Sequence, residues 1–458
     1  MSDLEQEMAS TLTKDLYLND KTNSGLSDTV LASDPLRKTQ YIRLSAQWDK
    51  QVDEIHYSAI PYVRHRTNDY TATWNQNMPA VESDVTTFGL LALVNIEHDN
   101  NSETTMGLDI ELTSGDQLSY QPLDFTTSGW GADTYVKGEK FYDDTTDYTS
   151  YSPYIQHRGS ITESLDFTVG ARYDYAKYDF DNHLGVYGDI GHGKLSLEDR
   201  SDNFNHLSPK ASLNYHLDDN SSLYARYANS FRIPTAGSLY HLTTKDSGEA
   251  KAVDPEVSDT YELGYKLNLE QLSFDTAIYY MDVDDGIVHA YNSNGQRFLT
   301  NASRVIHKGI EFAADWQVTT DWSINLAYTR AKHEFDKHDS YSGNDMKAAP
   351  EYIANVRISY SPAEIAGLTT MLEVQSIGEY WLDDANSSDS NGIERKEDGY
   401  TIANLKARYQ VNPALSIHAR VLNITDKEYV QEAEYRYGKT KYAPGAPRTA
   451  YIGFNYQW

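Results

Sequence analysis

The side chains of this chain that could carry chemistry are its 14 histidines, 68 acidic residues and 37 tyrosines, because it contains no cysteine. They form no known catalytic set, since the sequence lacks Gly-x-Ser-x-Gly, His-Glu-x-x-His and a glycine-rich phosphate loop. Zinc would need histidine and carboxylate ligands, and the histidines are scattered. Asp282-Val-Asp-Asp-Gly286 resembles the start of an EF-hand, but its glycine comes early and the glutamate that closes such a loop is missing. The sequence therefore predicts no catalytic residues, no metal site and no cofactor, and the protein is not expected to be an enzyme.

Composition limits the classes of partner and fold. A net charge of −29 excludes nucleic-acid binding by clustered Lys and Arg. Many tyrosines with only 39% hydrophobic residues suit the aromatic girdles of a membrane barrel, although a tyrosine-rich binding module is an alternative. The chain contains no run of about 18 apolar residues, so it could span a membrane only as a closed barrel.

The elements that must position these side chains are strands, because the dominant period is two. Leu165, Phe167 and Val169 alternate with polar residues, and the same pattern recurs in segments of about ten residues, the length of a bilayer crossing. We predict about seventeen strands, near residues 39–48, 55–65, 85–97, 103–113, 148–159, 164–178, 206–217, 221–231, 257–268, 271–284, 306–317, 321–333, 351–361, 367–377, 400–409, 414–423 and 450–458.

The connections alternate strictly between short turns and long loops. The long ones are predicted at 66–84, 114–147, 179–205, 232–256, 285–305, 334–350, 378–399 and 424–449. A soluble β-protein has no reason to alternate in this way, whereas an outer-membrane barrel has short periplasmic turns and long extracellular loops. The predicted fold is therefore an all-β, transmembrane antiparallel β-barrel.

An odd strand count would start the first strand outside the cell, whereas complete bacterial barrels have an even number of strands. We therefore expect residues 1–38 to be the extracellular loop of a hairpin that is otherwise missing, and residues 39–458 to be a partial barrel. The first ten residues also lack the basic and apolar regions of a secretion signal.

Several segments together resemble one family, the TonB-dependent outer-membrane receptors. The resemblance covers residues 150–458, and extends to 1–150 only through the strand pattern. The segments that carry it are Leu207–Tyr215, Leu223–Thr235, Asp254–Lys266, His307–Glu311, Val421–Tyr429, Tyr442–Thr449 and the aromatic end at Trp458. The resemblance implies a barrel of 22 strands, of which about 17 are present, and an amino-terminal plug and TonB box that are absent here.

The resemblance also gives a role to the polar face of the strands. In this family the plug fills the barrel lumen, so lumen-facing residues would contact it. The alternative is that these residues simply solvate a polar wall. The expected plug contacts are Arg172, Glu262, Lys266, Glu311 and Asp315. Glycines 264 and 309 lie on the same face, where the missing side chain would leave space for whatever fills the lumen.

Family members import scarce ligands, usually ferric siderophores. The resemblance therefore implies uptake of a ferric siderophore driven by TonB, with ligand-binding residues on the outer loops. The candidates are Tyr142, His183, Tyr240, His241, Tyr291, Trp381 and Tyr435. Haem is an alternative because His241 follows Phe231-Arg-Ile-Pro234, but the downstream Asn-Pro-x-Leu of haem receptors is missing.

Other hypotheses remain open at this point. The ligand could be cobalamin, or the protein could be a passive porin or a surface barrel that does not transport. The expected partners are an iron chelate, outer-membrane lipid and lipopolysaccharide, and the TonB complex through the missing plug region. The expected location is the Gram-negative outer membrane, and the expected state is a monomer.

Overall fold

A computed structural model describes residues 2–26, 28–31, 35–73, 77–98, 102–127, 133–243, 253–291, 297–338, 340–436 and 438–457. Within them, side chains are described except at 29, 288–291, 297–300, 302, 303 and 436. None of the helices in these ranges is long and apolar enough to cross a membrane.

Strands dominate the described chain, and its helices are short. The elements are β1 (Ser2–Glu7), β2 (Leu12–Thr13), α1 (Lys14–Asn19), α2 (Asp28–Leu31), β3 (Leu36–Ser45), β4 (Trp48–Val52), β5 (Ile55–Thr71), β6 (Ala80–His98), β7 (Ser102–Tyr120), β8 (Phe125–Thr126), β9 (Thr134–Tyr135), β10 (Lys140–Thr162), β11 (Leu165–Asn182), β12 (Gly188–Asp189), β13 (Leu195–Ser196), β14 (Arg200–Asp218), β15 (Ser221–Arg232), α3 (Ala236–Tyr240), β16 (Glu256–Asn268), β17 (Leu272–Tyr291), β18 (Arg297–Gln317), β19 (Trp322–Lys337), β20 (Tyr352–Tyr360), β21 (Leu368–Ile377), β22 (Tyr380–Trp381), β23 (Lys396–Glu397), β24 (Tyr400–Asn412), β25 (Leu415–Leu422), β26 (Val430–Arg436), β27 (Lys439–Pro444) and β28 (Thr449–Tyr456).

One large antiparallel sheet contains the long strands. Neighbouring strands pair in chain order, beginning with β1, β3, β5, β6, β7, β10 and β11, continuing through every strand from β14 to β21, and ending with β24, β25 and β28. The short strand β4 follows β3 and also pairs with β5. Each of the seventeen predicted strands is present, with β3 and β4 together forming the first. The predicted all-β, antiparallel architecture is confirmed.

The strands extend further on the long-loop side than their sequence pattern predicted. The predicted loops 66–84 and 114–147 lose residues to β5, β6, β7 and β10, and the predicted loop 285–305 contains the ends of β17 and β18. Pairing continues there through polar positions such as Asp84 opposite Asp116. Both faces of such a segment are polar, so the apolar alternation that reveals a strand disappears while its backbone ladder continues.

The sheet has one apolar face and one polar face. On the apolar face, Val63, Phe88 and Leu112 lie in one cross-strand row. Phe88 is 61% exposed, and Phe454 on β28 is 72% exposed. A face with large exposed apolar side chains suits a lipid solvent, and the opposite face suits an aqueous lumen. Here we call these the apolar face and the polar face.

On the polar face, glycines are covered by tyrosines of the neighbouring strand. A Cβ atom added to Gly264 would lie 2.3 Å from the Tyr224 ring, and one added to Gly309 would lie 2.9 Å from the Tyr279 hydroxyl. Tyr62 covers Gly89 in the same way. The expectation that Gly264 and Gly309 leave space for a lumen filler is therefore wrong, because aromatic rings of the wall itself occupy that space.

Replacing Gly264 with alanine is expected to lower the free energy of unfolding by about 1–3 kcal/mol, because the new methyl group overlaps the Tyr224 ring. Urea unfolding of the detergent-solubilised protein measures the change. Gly115→Ala is the matched control, since its added Cβ would meet its nearest neighbour at 3.5 Å. Equal destabilisation by the two substitutions would contradict the ring-over-glycine explanation.

The two ends of the strand series are linked through their outer connections. Leu12–Thr13 (β2) pairs with Lys441–Tyr442 in β27, which belongs to the connection before β28. Tyr17 stacks on Tyr442 with ring centroids 5.0 Å apart, and Lys21 Nζ lies 2.6 Å from Glu428 Oε2. These contacts hold the connection between β1 and β3 against the connection between β25 and β28.

The segment 1–38 is thus not a loop throughout. Ser2–Glu7 forms a strand that pairs with Leu36–Tyr41, so the connection between the two strands spans residues 8–35. The apolar–polar alternation is missing in Ser2–Glu7, and all six residues are exposed. This lack of a sequence pattern explains why the strand was not predicted.

Candidate functional site

The segment after β15 folds inward over the polar face of the sheet. Pro234 and Thr235 end the strand, and the Thr235 side chain caps α3 by accepting a hydrogen bond from the Ser238 backbone N–H. α3 then buries Leu239 and Tyr240, each only 1% exposed. We call residues 233–243 the inward segment.

Tyr240 anchors this segment. Its ring stacks on Phe180 at a centroid distance of 4.5 Å, and its hydroxyl donates to Asp202 Oδ2 at 2.9 Å. Burial and the hydrogen bond to Asp202 raise the pKa of the Tyr240 phenol, so it stays a neutral donor. The contacts of Tyr240 are therefore those of a packing residue.

His241 and Tyr142 meet beside this anchor. His241 Nε2 lies 2.9 Å from Asp144 Oδ2, and its Nδ1 lies 3.2 Å from Gln117 Nε2. The Tyr142 ring packs 4.8 Å from the imidazole, and its hydroxyl donates to the Leu242 carbonyl at 2.7 Å. Three of the predicted ligand-binding residues are thus brought together. Both ring nitrogens of His241 already have partners within the protein, which argues against haem ligation by this histidine.

The other predicted loop residues lie elsewhere. His183 Nδ1 is 3.7 Å from Asp143 Oδ1. Trp381 lies under Lys396, whose Nζ is 4.6 Å from the indole ring, and Tyr435 lies under Arg395 at 4.0 Å. The side chain of Tyr291 is outside the described part of the chain. These residues share no contact with His241 among the described residues.

A cavity of about 610 Å³ is lined by residues of β7, β10, β11 and β14 and by the end of β15, and the last of these, Phe231, precedes the inward segment by two residues. That volume is typical of a site for a small molecule. Its polar lining consists of two cations, two carboxylates and several neutral hydrogen-bonding side chains: Arg172, Lys210, Asp109, Asp174, Tyr154, Gln156, Ser208, Asn229 and Ser230.

The two cations of this cavity differ in their bonding. Arg172 Nη1 lies 2.6 Å from Asp109 Oδ2, and its Nε lies 2.7 Å from Asp174 Oδ1. Lys210 is exposed and has no hydrogen-bond or ion-pair partner within the described residues. Arg172 is therefore held in place by its two carboxylate partners, whereas the ammonium group of Lys210 is available to an anionic ligand. Lys210 lies in one of the segments that resemble the receptor family, but nothing in its sequence context marked it as a site residue.

The remaining predicted plug contacts lie on the polar face, as expected from their spacing. Glu262 accepts a hydrogen bond from the Tyr224 hydroxyl at 2.7 Å, and Lys266 Nζ lies 2.9 Å from Asp275 Oδ2. Asp315 accepts from Asn325, and Glu311 stands opposite Ala277. What these residues meet in the lumen stays a prediction.

Sequence reasoning missed a histidine clamp between two outer connections. His192 places Nδ1 2.7 Å from Asp133 Oδ2 and Nε2 2.9 Å from Glu139 Oε1, and its ring stacks 4.3 Å from Tyr135. Partial burial lowers the pKa of His192, but the hydrogen bond to Asp133 and the charges of Glu139 and Asp133 outweigh burial and raise the pKa above its usual value. The clamp joins segments more than fifty residues apart, so no local pattern could indicate it.

The clamp is expected to weaken as the pH rises. A raised pKa in the folded state means that protonation stabilises the clamp fully below the unfolded value of about 6.5, and that this stabilisation is lost as pH rises through the folded value. Limited proteolysis of the 133–139 segment should therefore accelerate from mildly acidic to alkaline pH. His192→Gln should remove that dependence, and an unchanged pH profile in this variant would contradict the assignment.

Comparison with known proteins agrees with this architecture. The family model described as "TonB dependent receptor-like, beta-barrel" matches residues 8–424. The ferric aerobactin receptor of Escherichia coli is 25% identical over 390 residues, which cover 78% of this chain and 50% of that protein. The catecholate siderophore receptor Fiu of E. coli K12 is 24% identical over 315 residues, covering 64% of this chain and 40% of Fiu. This chain thus spans about half the length of the curated relatives it matches.

Solved structures share the fold. The ferric citrate transporter FecA in its unliganded form superposes with a TM-score of 0.79 at 17% identity, covering 99% of this chain and 66% of that one. The ferric yersiniabactin uptake receptor FyuA from Yersinia pestis gives a TM-score of 0.70 at 18% identity, covering 92% and 61%. Proteins of this family are outer-membrane barrels of Gram-negative bacteria that act as receptors and transporters, not as enzymes. The chain belongs to the TonB-dependent receptor β-barrel family.

Proposed function

We propose that this chain is the barrel portion of an outer-membrane receptor that takes up a ferric siderophore with energy from TonB. The observation that carries the proposal is the cavity of about 610 Å³, in which Arg172 is paired with Asp109 and Asp174 while Lys210 has no partner within the described residues. Relatives named as ferric aerobactin and catecholate siderophore receptors support an iron chelate as the ligand.

Because Asp109 and Asp174 neutralise Arg172, the unpaired ammonium group of Lys210 is the feature of the cavity that favours an anionic chelate. An unpaired ammonium group gains a charge-assisted hydrogen bond from a carboxylate or catecholate oxygen, and Tyr154, Gln156 and Ser208 can donate to further oxygens. The binding is expected at the outer end of the lumen, because the inward segment lies there. The proposal also includes energy from TonB and a monomeric state in a lipopolysaccharide-containing membrane. It further includes contact between a plug and the polar-face residues Arg172, Glu262, Lys266, Glu311 and Asp315.

The test is binding of ⁵⁵Fe-labelled chelates to outer membranes that contain the full chain. The panel is ferric aerobactin, a ferric catecholate, ferric citrate and haem. Lys210→Gln should weaken binding of the preferred chelate about tenfold, since a hydrogen bond to a charged group contributes about 1.5–3 kcal/mol. Lys177→Gln is the matched control, because Lys177 lies on the other face of β11 and pairs with Asp179 at 2.7 Å.

Saturable binding of one iron chelate, reduced by Lys210→Gln and not by Lys177→Gln, would support the proposal. Binding of haem alone would show that the ligand is haem and not a ferric siderophore. A large, stable ion conductance of the purified protein without saturable binding of any chelate would favour a passive porin instead.

A further inference from the structure

Two histidines of neighbouring strands meet on the polar face of β18 and β19. His307 and His333 are direct cross-strand partners, and their Nδ1 atoms lie 2.6 Å apart. A neutral imidazole carries one N–H and one lone pair, so this bond requires one ring to donate from Nδ1 and the other to accept there. The contact therefore needs at least one neutral ring, whose Nδ1 lone pair points at its neighbour.

A methionine stands beside this pair. Met281 on β17 is the direct partner of His307, and Tyr279, two residues before it, covers Gly309 on the polar face. Because side chains alternate along a strand, Met281, His307 and His333 occupy one row on that face. Directly opposite residues have Cβ atoms about 4.5–5.5 Å apart, and a thioether sulfur lies two bonds beyond Cβ. Met281 can therefore place its sulfur beside the His307 ring.

Apolar side chains shelter this row on its outer side. The next row outward is Val283, Val305 and Phe335, and the last two are only 4% and 3% exposed. Tyr279 lies on the inner side of the row. Met281 and both histidines are themselves partly buried. The three side chains thus lie in a sheltered part of the polar face, which limits the access of water to an ion bound there.

The donor set of this row is neutral. Within the described residues, no group of three or more His, Cys, Asp or Glu side chains is placed to hold a metal ion. The Nε2 atoms of both rings also have no hydrogen-bond or ion-pair partner there. Removing an ion from water costs free energy that rises with the square of its charge, so neutral ligands in a sheltered site compensate a monovalent ion better than a divalent one.

We propose that Met281, His307 and His333 form a binding site for a soft monovalent metal ion, Cu(I) or Ag(I). Soft thioether ligands select Cu(I), imidazole also suits copper, and Ag(I) has the same charge and is likewise soft. The ion takes the place of the proton between the two Nδ1 atoms. With metal–imidazole bonds of about 2.0–2.1 Å and a tetrahedral angle, the two nitrogens lie roughly 3.3 Å apart, so the rings separate by roughly 0.7 Å.

This site is distinct from the proposed uptake of an iron chelate. None of its three residues lines the cavity that contains Lys210 and Arg172. Its ligands are uncharged, whereas the chelate is expected to bind a cation of the protein. The two proposals can therefore fail independently.

Isothermal titration calorimetry of silver nitrate into the detergent-solubilised full chain, in chloride-free buffer, tests the site. The chain has no cysteine, so no thiol competes for Ag(I). We expect one tight Ag(I) site per chain, and His307→Ala/His333→Ala should remove it. Met281→Leu keeps the side-chain size and should weaken the site about tenfold or more, because the loss of even a second-shell partner costs roughly tenfold to hundredfold in metal affinity.

The matched control is His98→Ala/His157→Ala. The rings of these two histidines also lie close together, with centroids 5.9 Å apart, but the Thr104 hydroxyl lies between them at 2.9 Å from each. This variant should keep the tight Ag(I) site. If the variant without His307 and His333 does not fold, X-ray absorption of the Ag(I)-loaded protein checks the ligands, since the wild type should show a sulfur neighbour that Met281→Leu lacks.

Equal Ag(I) affinity of the wild type and Met281→Leu would overturn the inference, as would an equal loss of the tight site in the two double-histidine variants. Tighter binding of Zn(II) than of Ag(I) at this site would also overturn it. A wild type that binds no iron chelate but keeps the tight Ag(I) site would count against the proposed function and leave the metal site standing.

Discussion

Replacing Glu373 with alanine is expected to lower the free energy of unfolding by about 3 kcal/mol, the largest effect of a charge on the polar face. Its side chain is only 4% exposed. One carboxylate oxygen lies 2.8 Å from Arg357 Nε, and the other lies 3.0 Å from Lys406 Nζ and 3.2 Å from Asn404 Nδ2. Removing the shared anion leaves two cations and a buried amide without their acceptor, and breaking a buried pair costs about 3–5 kcal/mol.

We take the lower end of that range because Arg357 and Lys406 are 48% and 40% exposed and can be solvated in part. The matched control is Asp275→Ala, which breaks the exposed Lys266 pair and should cost less than about 1 kcal/mol. Urea unfolding in detergent measures both variants. Similar costs for Glu373→Ala and Asp275→Ala would show that the three-partner network adds nothing beyond an ordinary surface pair.

Replacing Tyr240 with alanine is expected to detach the inward segment from the polar face. The substitution removes a fully buried ring stacked on Phe180 and the hydrogen bond to Asp202. Truncating a buried large aromatic side chain costs about 3–5 kcal/mol, and we expect this loss to outweigh the remaining contacts of the short segment 233–243. The segment should become sensitive to protease, which limited proteolysis of the outer membrane measures.

Tyr240→Phe separates the two contributions, since it keeps the stacking and loses only the hydrogen bond to Asp202. It should cost about 1 kcal/mol and leave the segment protected. A protease pattern for Tyr240→Ala identical to that of the wild type would refute the role of this anchor.

The fold could be predicted largely from sequence because two solvents act on each strand. Lipid and water on opposite faces impose a period of two, which Leu165 to Tyr175 show clearly, and loop length separates the two sides. The same reasoning fails where water lies on both faces, as at Asp84 and Asp116, and where alternation is missing, as in Ser2–Glu7. The sequence therefore predicts which segments form strands, but it does not predict where the strands end on the long-loop side.

The candidate site could be predicted only in part. Residue type and outer position identify Tyr142, Tyr240 and His241 as candidates, and the structure brings them together. Their partners Asp144, Gln117 and Asp202 come from β10, β7 and β14, and no local pattern links these strands to the inward segment. Lys210 and the glycine-covering tyrosines depend on register between neighbouring strands, which a single sequence does not specify.

A sheet that spans the outer membrane with its long connections outside exposes its two kinds of connection to different compartments, and the absence of native cysteine makes a direct test of this orientation simple. Single cysteines would be placed at Tyr187 and Asn391 in long connections, and at Asn220 and Thr320 in short turns, in the full chain. Cells expressing each variant would be treated with a membrane-impermeant maleimide. We predict labelling at 187 and 391 in intact cells, and labelling at 220 and 320 only after the outer membrane is permeabilised. Equal labelling at all four positions in intact cells, or labelling of the turns alone, would contradict a membrane-spanning sheet with its long connections outside.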